Sequence, residues 1–244
     1  MNRAERRRQS KLARSGGGGN PDALVHQAME QLQAGQLKRA EKSFDRVLKS
    51  HPEHPDALHF QGVVMYQQGR FEDSLTLLTA VVAIAPDYAE ARNSLGIVLL
   101  EKRNFDNAVT HFEHALKVRP NFAGAHANLG NAHQEKGALD AAVKSYRTAL
   151  SLEPQHREAA YRLASTCLAQ GDAEQALEAC AVCLEIDPHC QHALAYKAMA
   201  LQALGRRDEA RILYEYDRLF HLAKIAVPSR FDGLGQFNDV LAEA

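Results

Sequence analysis

A period of 34 residues runs through most of the chain and limits its fold more than any other feature. Prolines recur at Pro52, Pro86, Pro120, Pro154 and Pro188, and small residues at Gly62, Gly96, Gly130, Ala164 and Ala198. Turn glycines stand at Gly35, Gly69, Gly137, Gly171 and Gly205, with Arg103 the one departure. A second small column holds Ala40, Ser74, Ala108, Ala142, Ala176 and Ala210. A bulkier one holds Phe44, Leu78, Phe112, Tyr146, Cys180 and Tyr214, and a medium one Val47, Val81, Ala115, Ala149 and Cys183. Spacing and residue type agree together, so one unit is used repeatedly. Each unit reads as two helices of about 13 residues joined by a short turn.

Composition supports helices throughout. Good helix formers dominate, and Trp is absent. A chain of 244 residues with 45% apolar and 24% charged residues can bury a sizeable core. The formal net charge of −1 excludes a global field that recruits nucleic acid or anionic membrane. No apolar run approaches the roughly 18 residues of a membrane-spanning helix. The N-terminus is basic, but no apolar stretch follows it, so no secretory signal is read and a cytoplasmic location is expected.

The small residues have a packing logic. Gly62, Gly96 and Gly130 let a partner helix approach closely, Ala108, Ala142 and Ala176 do so from the second helix, and Phe44, Phe112 and Tyr146 fill the space beside them. Gly69 and Gly137 suit the left-handed residue that ends a helix. The prolines stop the second helix by removing a donor. One hairpin cannot bury its own apolar face, whereas stacked copies can.

These columns resemble the tetratricopeptide repeat over residues 21–224, as six units with boundaries after 54, 88, 122, 156 and 190. The first unit has Ala28 where the glycine is expected, and the sixth has Leu222 in place of the proline. The resemblance implies an all-α fold, a right-handed superhelical solenoid of antiparallel helix pairs with a concave groove. Residues 1–20 are expected to form a disordered basic tail with a Gly16 to Gly19 linker, and 225–244 a C-terminal segment that starts a following domain.

On the first helix of each unit, one stripe spaced 3, 4 and 3 residues is expected to line the groove. It holds Asp22, Val25, Met29 and Leu32, then Asp56, His59, Val63 and Tyr66, then Glu90, Asn93, Ile97 and Leu100. The first three units thus offer an apolar floor rimmed by carboxylates, with Tyr66 as the expected anchor. In the later units the candidate contacts are Asn128, Asn131 and Tyr161. No Lys or Arg lies on the stripe, and Arg162 only adjoins it, which argues against a clamp for acidic chaperone tails. The expected ligand is an apolar or mildly basic peptide. The "NLGN" of unit four resembles the asparagine-rich groove of O-linked sugar transferases.

Cys180 and Cys183 in "CAVC", with Cys190 in "HCQH", have the look of a metal site. The register instead places Cys167, Cys180 and Cys183 at core positions, so no metal and no disulfide is expected. "HFEH", from His111 to His114, has a His-x-acid pattern, but on a helix residues i and i+2 point apart. No phosphate loop, nucleophile elbow or paired helical metal ligands occur, so neither a catalytic site nor a cofactor is expected within 1–244.

The ends leave alternatives open. Arg3, Arg6, Arg7, Arg8, Lys11 and Arg14 oppose only Glu5, so the tail is either solubilising or a weak contact for RNA or anionic lipid. Tyr216, Asp217, Arg218 and Leu219, then Pro228, then Phe237, Asn238 and Leu241 resemble the junction to a bacterial 2-oxoglutarate, iron(II)-dependent oxygenase domain. The leading reading is a peptide-binding scaffold. The alternatives are a substrate-presenting accessory domain of an oxygenase or glycosyltransferase, and a self-association module.

Overall fold

The computed structural model describes residues 20–214. The basic tail, the Tyr214 side chain, the end of the sixth unit and the whole C-terminal junction lie outside the described residues. Within them every regular element is an α-helix. The helices are α1 (Pro21–Gln33), α2 (Leu37–Ser50), α3 (Pro55–Gln67), α4 (Phe71–Ile84), α5 (Ala89–Glu101) and α6 (Phe105–Val118). There follow α7 (Ala123–Glu135), α8 (Leu139–Leu152), α9 (Arg157–Gln170), α10 (Ala173–Ile186), α11 (Gln191–Ala203) and α12 (Arg207–Tyr214). Contacts divide the chain into two compact halves, one ending at Pro120 and one beginning at Asn121.

Local chemistry sets each helix boundary. The residues before the first helices form a column of their own: Asn20, His54, Tyr88, Phe122, His156 and Cys190. Asn20 Oδ1 accepts the Asp22 amide at 3.1 Å, and His156 Nδ1 accepts the Ala159 amide at 3.3 Å. Such acceptors satisfy orphan donors of the first turn. The first helices all end in one motif. Gly35 donates to Leu32 and Gln36 to Gln31, each at 2.9 Å, which is the Schellman pattern. It recurs at Gly69, Gly137, Gly171 and Gly205 with φ between 73° and 84°. Arg103 makes the same bonds at φ 58°, although it is no glycine.

The second helices end earlier than donor loss at proline would require. They stop at Ser50, Ile84, Val118, Leu152 and Ile186, two residues before each proline. The intervening residues His51, Ala85, Arg119, Glu153 and Asp187 have φ from −126° to −140° and ψ from 74° to 95°. A residue before proline is pushed out of the helical region by the ring, and that acts first.

In the N-terminal half, α1 packs on α2, α3 on α4 and α5 on α6, and the first helices α1, α3 and α5 are neighbours. A Cβ added at Gly62 would lie 2.8 Å from Leu78, and one at Gly96 would lie 2.5 Å from Phe112. No real Cβ tolerates such distances, so these glycines are required by the bulky residue they face. Ser74, the one polar member of the second small column, is fully buried and donates to the Gly62 carbonyl at 2.7 Å. Phe44, Leu78 and Phe112 are fully buried, and each such burial stabilises by roughly 1.5–3 kcal/mol.

The C-terminal half repeats the plan with other residues. A Cβ at Gly130 would lie 2.6 Å from the Tyr146 ring. In the next unit Ala164 and Cys180 occupy those two columns, both fully buried, so a larger small residue faces a smaller bulky one. Cys167, Cys180, Cys183 and Cys190 are all free and buried. Burial pushes the Cys180 and Cys183 thiols up to about 12, so they stay protonated at neutral pH.

Candidate functional site

The outward stripe of α1, α3 and α5 has an apolar middle and an acidic edge. Met29, Leu32, Val63, Tyr66, Ile97 and Leu100 are partly exposed, and Met29 and Leu32 rest on the Phe44 core. Tyr66 lies between the Phe71 ring, 5.7 Å away, and Glu101, whose Oε1 accepts its hydroxyl proton at 3.2 Å. Phe71 is itself 38% exposed. Burial, reinforced by the Glu101 charge, holds the Tyr66 phenol up to about 12, so it stays a donor.

Two residues expected on this floor are not available there. Val25 is only 4% exposed and belongs to the Phe44 cluster. His59 is likewise 4% exposed and sits inside a polar relay. The Tyr88 hydroxyl gives its proton to Asp56 Oδ1 at 2.6 Å. Its oxygen can then only accept, from His59 Nδ1–H at 3.2 Å, which leaves His59 Nε2 to accept from Ser94 Oγ–H at 3.0 Å. This fixes the neutral imidazole with the proton on Nδ1. Burial outweighs the attraction of Asp56 and Glu90 and lowers the His59 pKa to about 4.

The acidic rim is present but engaged. Asp22 contacts His54 Nε2 at 3.1 Å, with 78% of its side chain exposed. Asp56 is held by Tyr88, and Glu90 accepts from Arg119 at 2.5 Å. Asn93 is partly buried and has partners of its own within the structure.

The corresponding face of α7, α9 and α11 is mixed, with Asn131, Gln134, Ser165 and Gln202 beside the partly exposed Leu168 and Met199. Tyr146 is fully buried, yet its hydroxyl reaches Asn131 Oδ1 at 2.7 Å and Gln134 Oε1 at 2.9 Å. A phenol has one proton, so it donates to one amide while the other turns its NH2 toward the phenol oxygen. Asn131 also donates to Glu158 at 3.4 Å. Asn131, expected to contact a ligand as part of "NLGN", is therefore tied into the hairpin that carries it. The neighbouring Asn128 is partnered as well. Tyr161 stacks on His192 with centroids 4.9 Å apart, and the Arg162 guanidinium lies 5.8 Å from the Tyr161 ring centroid. Arg162 sits 3.6 Å from Glu158, which offsets its charge.

The sequence signal for the Asn131 and Gln134 duty lies in the bulky column. Only Tyr146, among Phe44, Leu78, Phe112, Tyr146 and Cys180, brings a buried hydroxyl that needs partners. Among the described residues, no cluster of three His, Cys, Asp or Glu side chains could hold a metal ion, and no helix is long and apolar enough to cross a membrane.

Comparison with known proteins agrees with the helix register. A profile described as tetratricopeptide repeat matches residues 26–89, 93–150 and 128–189, and a second profile of the same description matches 191–215. No curated protein sequence matches the chain. Among solved structures, PilF of Pseudomonas aeruginosa superposes with TM-score 0.77 at 17% identity, covering 92% of this chain and 97% of its own. PilW, described as a widely conserved type IV pilus biogenesis factor, has TM-score 0.73 at 22% identity, covering 82% and 92%. YrrB, described as a repeat protein of this kind with an unusual peptide-binding site, has TM-score 0.61 at 20% identity, covering 77% and 96%. At these identities the likeness is one of fold.

Proposed function

This chain belongs to the tetratricopeptide repeat family, and from that premise we propose that it is a non-catalytic scaffold whose N-terminal half binds an extended, apolar or mildly basic peptide. The observation that carries the reading is the row of six partly exposed apolar side chains, Met29, Leu32, Val63, Tyr66, Ile97 and Leu100, on three adjacent first helices. Covering them removes apolar area from water at about 25 cal/mol per Å², and much of that gain offsets the ordering of the peptide. Asp22, Asp56 and Glu101 beside them favour a cation over an anion, Glu90 being offset by Arg119, and no Lys or Arg on the stripe opposes this. The peptide-binding site described for YrrB, a structure of the same fold, is compatible with such a role. Asn128, Asn131 and Tyr161 form a separate polar set on the C-terminal half, with Tyr161 the one whose ring is offered by stacking. The four unpaired thiols fit a reducing, cytoplasmic setting.

Tyr66 is the anchor. Its ring is at the middle of the row, and it loses no buried charge when covered. A displayed library of random 12-residue peptides should yield binders rich in apolar residues with Lys or Arg. Tyr66→Ala should weaken their affinity about tenfold with unchanged helical content, as for an interface hot spot. Selection of acidic peptides, or equal affinity for both proteins, would remove this reading.

A further inference from the structure

The second helix of the first repeat carries a surface that the peptide-binding reading does not use. On a helical projection at about 100° per residue, Lys38, Lys49, Lys42, Arg46 and Arg39 fall in that order within one arc about 100° wide. Every α2 residue in this arc is Lys or Arg, and all five are exposed. The opposite side of the helix is the core side, with Ala40, Phe44 and Val47 buried.

The five cations outnumber the two acids of the helix, and neither acid is hydrogen-bonded to the arc. Both lie on its flank toward the following hairpin and are engaged there. Glu41 accepts from Gln68 at 3.0 Å and from Arg70 at 2.8 Å, and these bonds, that from Gln68 foremost, hold its carboxyl below the usual range. Asp45 accepts from Gln61 at 2.5 Å. The opposite flank carries Ser50, and Ser43, which donates to Gln31 at 2.9 Å. Arg39 donates only to the neutral Gln36, at 3.0 Å. No carboxylate is paired with any of the five cations among the described residues.

We propose that this arc is a contact surface for the phosphate backbone of nucleic acid, read without sequence preference. From Lys38 to Lys49 the charges form a line about 16 Å long at 1.5 Å per residue. A line of cations matches a linear polyanion. A bilayer is a plane, and a peripheral helix also needs apolar side chains to insert, which this arc lacks. The arc holds no aromatic ring to stack on a base and no amide to read one, so recognition stops at phosphates. The surface is also close in sequence to the basic segment Arg3 to Arg14, which adds cations without being required.

The test uses the full chain and a fluorescein-labelled oligothymidylate of about 20 nucleotides, followed by anisotropy. Five phosphate contacts predict a log K against log salt slope of about −3 to −4, a loss of roughly 100-fold from about 50 to 200 mM salt. The fourfold variant Lys38→Gln, Lys42→Gln, Arg46→Gln, Lys49→Gln should keep its circular dichroism spectrum and lose most of this slope. A chain lacking residues 1–19 should bind more weakly and still respond to the four substitutions. Three results would overturn the proposal: no binding at the lower salt, equal binding by the fourfold variant, or binding to phosphatidylserine vesicles without binding to the oligonucleotide.

Discussion

Repeats three and four, one in each half, carry the same helices with different residues at three matching positions. Repeat three has Phe112 in the bulky column and Ile97 and Leu100 on the outward stripe; repeat four has Tyr146, Asn131 and Gln134. Both rings press on a glycine, at 2.5 Å from a Gly96 Cβ and 2.6 Å from a Gly130 Cβ. The difference is one oxygen. The Phe112 ring carries no polar atom and permits an apolar face. The Tyr146 ring ends in a hydroxyl that must be satisfied, and the two amides in front of it do so. The residue behind the small column therefore sets the polarity of the face in front of it.

The halves should part most widely in acid. Two imidazoles whose pKa burial lowers, His59 to about 4 and His111, belong to the N-terminal half. The Arg92 charge lowers His111 further. A lowered folded-state value means that below the ordinary value of 6.5 the unfolded chain takes up a proton that the folded chain refuses. Stability from His59 is thus complete above about pH 6.5, declines as pH falls, and is lost by about pH 4, for an upper total of roughly 3 kcal/mol. Hydrogen exchange at neutral pH and near pH 4.5 should show α3 and α5 losing protection more than α7 and α9. His59→Gln should flatten that response, and an equal loss in both halves would break the comparison.

Gly130→Leu follows in size. Its Cβ alone would meet the Tyr146 ring, which is pinned at its hydroxyl and cannot swing away. Overpacking of this kind costs about 1–3 kcal/mol. Asn131→Ala, one residue along, should cost less, because Gln134 still partners the phenol at 2.9 Å. It should not be silent, since Tyr146 loses its shorter bond, 2.7 Å long. Thermal melts of the two variants measure both; equal midpoints would show that Gly130 is not the close-approach position.

The fold was legible because the columns encode it twice, once as spacing and once as paired sizes. Gly62 with Leu78, Gly96 with Phe112 and Gly130 with Tyr146 are complementary volumes at a fixed separation along the chain. The site was less legible because side chains from neighbouring repeats decide it. Nothing at His59 itself announces burial; Tyr88 and Ser94, from the next repeat, enclose it. Val25 occupies the matching position one repeat earlier and is also covered, so the second stripe position of these two helices serves packing. The basic arc of α2 is an unbroken angular run within one helix, yet it lies on a second helix, away from the stripe that the repeat pattern marks for binding.

Tyr146→Phe isolates the one-oxygen difference. It removes a hydroxyl with two amide partners and leaves those amides, partly exposed, to water. The expected loss is about 1 kcal/mol. Adding Asn131→Ile and Gln134→Leu rebuilds repeat three inside repeat four, and the triple variant should recover most of the loss. The coupling between the ring and face substitutions is the quantity to measure; additive effects would show that core and face are independent.

The smallest effect expected is at Arg103, where the two halves differ in their turns. Every described turn in the C-terminal half has glycine in the left-handed position, whereas the N-terminal half has one arginine there, at φ 58°. A non-glycine residue in that region costs roughly 1–2 kcal/mol, so Arg103→Gly relieves strain. Two losses oppose the gain. Glycine makes the unfolded chain more flexible, worth about 0.5–1 kcal/mol. The Arg103 guanidinium also lies 5.3 Å from the Phe105 ring centroid, and an exposed contact of that kind contributes about 0.5–1 kcal/mol. The balance is a stabilisation of at most a few tenths of a kcal/mol, against the roughly 1 kcal/mol or more that strain alone would imply. Arg103→Ala separates these terms, because it keeps the strain and loses the ring contact. Denaturant melts should therefore rank Arg103→Gly slightly above the parent and Arg103→Ala below it, and an alanine variant more stable than the glycine variant by about 0.5–1 kcal/mol would mean that the turn stores no strain.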